Sequence, residues 1–142
     1  LSLAAALAFT AMPALADYVR VEAAGTVAQT ADRLQAAVEG AGARVFARVP
    51  HSAGAASVEM ELEDAELMIF GNPQLGTPAL QQDIRAGLFL PLRVLIHDDG
   101  GQTVMTYESV DAMFDGLDIA PDAPFRAAMA GALERLTGAA VE

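Results

Sequence analysis

Residues 18–23 alternate apolar Val19, Val21 and Ala23 with polar or amphipathic Tyr18, Arg20 and Glu22, the period of two that marks a half-buried strand. Leu34, Ala37, Val38 and Ala41 then recur at helical spacing, with Thr30 placed to cap the helix and Gly42 to stop it. A second strand sets Val45, Ala47 and Val49 on one face and Arg44, Phe46 and Arg48 on the other. A short helix is expected from Ser52 to Leu62. Ala65 to Phe70 is bulky enough for a third strand, ended by the turn residues Gly71-Asn72-Pro73. Thr77-Pro78 opens another short helix and Gly87 closes it. Leu92 to His97 and Gln102 to Glu108 are strands joined by the hairpin sequence Asp98-Asp99-Gly100-Gly101. Phe125, Met129, Leu133 and Leu136 share one stripe of a terminal helix that ends at Gly138. The order strand, helix, four strands, helix predicts an α+β domain, its helices on one face of a mainly antiparallel sheet. No internal repeat or second domain is visible.

Phase decides what the other face carries. If Val19, Val21, Val45, Ala47, Val49, Leu92, Val94 and Ile96 meet the helices, then Tyr18, Arg20, Glu22, Arg44, Phe46, Arg48, Arg93, Leu95, His97 and Tyr107 lie on the open side. That face holds four of the eight basic residues. Arginine mixed with apolar side chains suits a small amphipathic organic anion, and it equally suits the isologous interface of a homodimer. A merely solvated face with alternating charges is the third reading.

The run Ile69-Phe70-Gly71-Asn72-Pro73, then Thr77-Pro78, then Leu90-Pro91-Leu92-Arg93 and a strand ending near Tyr107 resembles the bacterial domain of unknown function 302 family, from about Tyr18 to the last helix. Arg44 to Val49, Pro50-His51 and Gly54-Ala55-Ala56 match the family's second strand, following histidine and small-residue helix. The acidic run Glu59 to Glu66 and the exit Glu108-Ser109-Val110 depart from the family's pattern. The resemblance implies a curved sheet of the TATA-binding-protein-like class, and it implies no activity. A role on DNA does not travel with that fold name.

Composition narrows the function further. The formal net charge of −11 repels phosphate backbones, so nucleic acid is not an expected partner. Cysteine is absent, which removes thiol chemistry and thiolate metal sites. Residues 1 to 16 are uncharged, rich in Leu and Ala, and end Ala14-Leu15-Ala16 before Asp17, as a signal peptide cut at that point would. Pro13 and the short apolar run argue against a permanent membrane helix, so a periplasmic or secreted domain of residues 17–142, without membrane attachment after cleavage, is expected.

Candidate chemistry is sparse. His51 is either a general base or ligand-orienting donor, or a structural residue at a helix start. Ser52 beside it forms no nucleophile elbow. Asn72 suits a turn, with an amide that reaches toward the end of the sheet. Two histidines without close spacing, and methionines spaced for core filling, give no metal or other cofactor site. The expectation is a non-enzymatic module that dimerises or binds a small ligand, with His51, Asn72, Arg93, Tyr107, Arg48 and Phe46 as candidate ligand-binding residues. The alternative is an enzyme or metal-handling protein centred on His51.

Overall fold

The computed structural model describes residues 17–142; the expected export signal, residues 1–16, lies outside the described residues. Five strands, β1 (Tyr18–Ala23), β2 (Arg44–Pro50), β3 (Ala65–Gly71), β4 (Leu92–Asp99) and β5 (Gln102–Glu108), form one antiparallel sheet in the order β1-β5-β4-β3-β2. Helices α1 (Val27–Gly40), α2 (His51–Ser57), α3 (Pro73–Gln82), α4 (Val110–Met113) and α5 (Pro124–Ala139) join or follow the strands. A 3₁₀ turn at Ile84–Leu88 links α3 to β4. The architecture is α+β, as the strand and helix order predicts.

One face of the sheet carries the core. Ile96, Val94, Leu92, Met68, Phe70 and Met105 from the strands meet Ala31, Leu34 and Val38 of α1 and Phe125, Met129, Leu133 and Leu136 of α5. Burying these side chains at roughly 25 cal/mol per Å² is the main term that holds the sheet to its helices. The stripe read for the terminal helix is therefore its buried face.

Helix starts differ from expectation in an instructive way. Thr30 sits inside α1, fully buried, and the cap is Thr26, whose side chain accepts from the Gln29 N–H while Gln29 reaches back to the Thr26 N–H. That capping box satisfies two otherwise orphaned donors, which a lone Thr30 does not. Asn72 caps α3, its Oδ1 accepting from the Gln74 N–H at 2.9 Å, so Thr77 and Pro78 lie within the helix rather than at its start. The helix expected from Ser52 to Leu62 stops at Ser57. Glu59 there has φ 59°, a left-handed conformation that breaks the helix.

Two strand phases also need correcting. A β-bulge lies between Val45 and Ala47, so the alternation of β2 slips by one residue at Phe46. Ala47 and Val49, expected against the helices, instead lie on the open side with Ile69 and Leu67. Arg48, expected on the open side, turns toward the helices, where its guanidinium pairs with Glu66 and donates to Asp32 Oδ1 at 2.7 Å and Gln35 Oε1 at 3.0 Å. Tyr107 is the second correction. The tight hairpin pairs Asp99 with Gln102, which puts Met105 opposite Ile96 and Tyr107 on the same helix-covered face, opposite Val19. Burial there pushes the phenol above its ordinary pKa.

The connection from α3 to the last helix hangs on one buried carboxylate. Asp83 Oδ1 accepts from the Arg85 N–H at 2.9 Å, Oδ2 accepts from the Asp118 N–H at 2.9 Å, and the Arg85 fork grips both oxygens. The Arg85 guanidinium, then the Asp118 and Arg85 amides, hold the acid far below the usual carboxylate range. A depressed folded pKa contributes stability that is present above the unfolded pKa of about 4 and is lost as pH falls toward the folded value. Urea titrations of the parent and of Asp83→Asn should therefore differ most above about pH 4 and converge as the pH drops. A gap that stays constant down to pH 2 would contradict this assignment.

Candidate functional site

The end of the sheet where β3 turns into α3 holds an apolar cavity of about 220 Å³. Its floor is the Gly71-Asn72-Pro73 corner and the Leu90-Pro91-Leu92 segment that leads into β4; α3 contributes Leu75, Gly76 and Leu80, and α5 contributes Met129. The bulge supplies the last wall. As the extra residue of β2, Phe46 swings to the corner and remains about half exposed, at 49%, at the cavity's edge. Gly71 lies under this closure, where an added Cβ would make ordinary van der Waals contact, 3.4 Å from Pro91 Cβ and 3.9 Å from the Phe46 ring. Among the described residues no titratable side chain lines the space, so the chemistry it offers is exclusion of water around an apolar group.

Arg44 adjoins the cavity: it pairs with Gly71 in the β2–β3 register and places its guanidinium 5.5 Å from the centre of the Phe46 ring. A cation over an aromatic face is held by the ring quadrupole while its N–H groups stay available to an acceptor.

The six residues singled out by sequence are not brought together. Phe46 and Asn72 border the corner cavity. Arg93 borders a separate shallow groove on the open side of the sheet with Tyr18, Leu67 and Leu95; Tyr107 touches that groove but belongs to the helix-covered face. Arg48 is committed to its ion pairs with Glu66 and Asp32. His51 follows the far end of β2 from the corner, exposed at the first position of α2; it forms no side-chain cap and no hydrogen bond with another described residue. Its neighbour Ser52 bonds Asp64 at 3.3 Å instead. Without a partner to orient the ring, His51 lacks the geometry of a general base paired with a nucleophile. His97 is held by Thr106 Oγ1 at 3.0 Å, and no group of three or more potential metal ligands gathers among the described residues. Sequence reading missed Leu75, Leu80, Leu90 and Met129 as site residues. Each also reads as ordinary core filling, and only the position of α3 against the corner turns them into cavity walls.

Residues 19–140 match the family described as "Domain of unknown function DUF302". The chain belongs to the DUF302 family. A solved relative, the crystal structure of an uncharacterised conserved DUF302 protein from Bacillus stearothermophilus, superposes with a TM-score of 0.70 over 87% of this chain and 94% of that one at 16% identity, which establishes the shared fold. Among curated proteins, this DUF302 chain is similar to fluoride-specific ion channel FluC 1 of Brucella suis biovar 1, at 44% identity over 86 residues, 61% of this chain and 34% of the channel. The same identity over 86 residues links it to FluC 1 of Brucella abortus biovar 1, where 32% of that protein is covered. The chain thus spans about a third of the length of the curated relatives it matches. No helix among the described residues is long and apolar enough to cross a membrane.

Proposed function

We propose that this DUF302 chain is a non-enzymatic exported domain that binds a small, largely apolar ligand in the cavity at the Gly71-Asn72-Pro73 corner. The observation that carries this reading is the cavity itself: walls from two strands, two helices and the lead-in to β4 converge on one space, without a titratable group among the described residues. A rigid apolar recess of this kind gains affinity from desolvation and from the pre-formed shape of its walls. The dimer reading loses part of its argument, since Arg48 and Tyr107 do not stand on the open side.

Methyl NMR titration of the mature domain with 1-octanol tests the proposal. Saturable shifts at Leu75, Leu80, Leu90 and Met129 are expected. Gly76→Leu should abolish them by filling the space, because a Cβ at Gly76 clears Leu90 at 3.9 Å and leucine favours a helix over glycine. Because part of the chain is similar to part of two fluoride channels, sodium fluoride is the second probe. Fluoride shifts at the corner without octanol shifts would replace this reading, and silence with both probes would end it.

A further inference from the structure

Resting on that reading, we infer that the ligand of the corner cavity is an amphipathic carboxylate, its apolar part against Leu75, Leu80 and Met129 and its carboxylate on the Arg44 guanidinium. The argument starts from how the eight basic residues, all arginines, are used. Arg20, Arg48, Arg85 and Arg126 are each ion-paired with a carboxylate. Arg33 is spent on the backbone carbonyls of Ala24 and Ala140. The remaining three, Arg44, Arg93 and Arg135, have no hydrogen bond or ion pair with another described residue, although the chain carries 19 acidic residues that could supply one.

These three arginines are not scattered. Arg44 pairs in register with Gly71, Arg93 pairs with Ile69, and Arg135 borders a shallow hollow that it shares with Asn72 and Leu75. All of them flank the stretch from Ile69 to Asn72, whose last two residues, Gly71 and Asn72, belong to the cavity floor. Arg44 stacks on the ring of Phe46, a side chain that lines the cavity, so it is positioned to meet a ligand's polar end. A planar guanidinium presents paired N–H donors that match a carboxylate, which an alcohol cannot use to the same extent.

The charge of −11 opposes an anion at long range, but at physiological ionic strength fields fade over a Debye length of about 8 Å. A cation at the cavity edge therefore outweighs acidic groups farther off. The stacking on Phe46 gives the guanidinium a resting surface beside the cavity, and with no hydrogen bond to another described residue it has none to give up when the carboxylate arrives.

The test compares octanoate with 1-octanol on the same protein at neutral pH and low salt. Octanoate should bind roughly tenfold more tightly, in line with one charge-assisted pair, and the preference should shrink as salt is raised. Arg44→Gln should bring octanoate down to the affinity of octanol while leaving octanol itself unchanged. Arg93→Gln, on the open side, should keep the preference within about twofold, as expected for an exposed charge beyond the contact. Equal binding of the two probes by the parent overturns this inference and leaves the cavity reading standing. Loss of octanol binding in Arg44→Gln also overturns it, since the arginine would then be shaping the cavity rather than reading the head group. If neither probe binds, the cavity reading fails and takes this inference with it.

Discussion

Phe70→Ala should lose about 3–5 kcal/mol of folding stability, the range for deleting a large ring from a core that cannot collapse around the void. Phe70 is 1% exposed, lies mid-core between Val45 and Leu92 across the sheet, and belongs to the set of largest fully buried side chains. Against a typical total of about 5–15 kcal/mol, that loss leaves a marginal domain. Urea unfolding of Phe70→Ala and Phe70→Leu checks it, with the leucine expected to recover part of the loss. A cost below about 1 kcal/mol for alanine would show that the ring is not a core element. The outcome bears on how the Phe-Gly-Asn-Pro motif is understood. Its phenylalanine serves the core, its glycine lies against Pro91 and Phe46, and its asparagine caps α3, so the motif builds a corner rather than supplying reactive groups.

Arg48→Ala should cost about 2 kcal/mol, below the ~3–5 kcal/mol for breaking a fully buried pair, because the Arg48 side chain remains 29% exposed to water. The loss arises chiefly at Glu66, whose side chain is only 14% exposed and would keep a carboxylate without its guanidinium. The pairing with Glu66 holds the Arg48 guanidinium above its already high ordinary pKa, so it stays charged throughout the working pH range. The double variant Arg48→Met with Glu66→Leu should regain most of the stability, since it removes both charges and keeps the volume. Octanol and octanoate binding per folded molecule should match the parent in these variants. A binding loss in Arg48→Ala that persists where the protein is fully folded would return Arg48 to the ligand site.

Most of the fold is legible in the residues because each strand and the long terminal helix carry their own periodic pattern. Phe125, Met129, Leu133 and Leu136 needed no partner to be recognised as a buried stripe. Phase was harder. A strict alternation through Arg44 to Val49 is what a regular strand requires, and nothing local at Phe46 announces that one residue is inserted against β3. In β5, Thr103, Val104 and Met105 are all buried, so alternation alone leaves its phase open and only the length of the hairpin fixes it. Val104 is buried although it lies on the open side, where Arg20 reaches from β1 to Asp99 on β4 at 2.7 Å.

The candidate site was legible only in its corner. Phe46 and Asn72 were found for reasons that partly differ from their roles, the first as a face residue and the second as a turn. Arg48 and Tyr107 were drawn into the list by phase and then placed elsewhere by the bulge and the hairpin. His51 was drawn in by resemblance and chemistry, yet an imidazole needs a neighbour to orient it, and that neighbour is a tertiary property.

The bulge at Phe46 also bears on association, because β2 is one of the two edge strands of the sheet and, among the described residues, its outer backbone groups face no sixth strand. A long straight border of this kind is a template on which a strand from another molecule can add, and repeated addition leads to fibres. Here the border is interrupted by the inserted residue, flanked by the charges of Arg44 and Arg48, and closed by Pro50. The irregularity that brings an aromatic wall to the corner thus also denies neighbouring chains a continuous row of hydrogen-bonding groups along this border, and leaves β1 as the regular edge of the sheet.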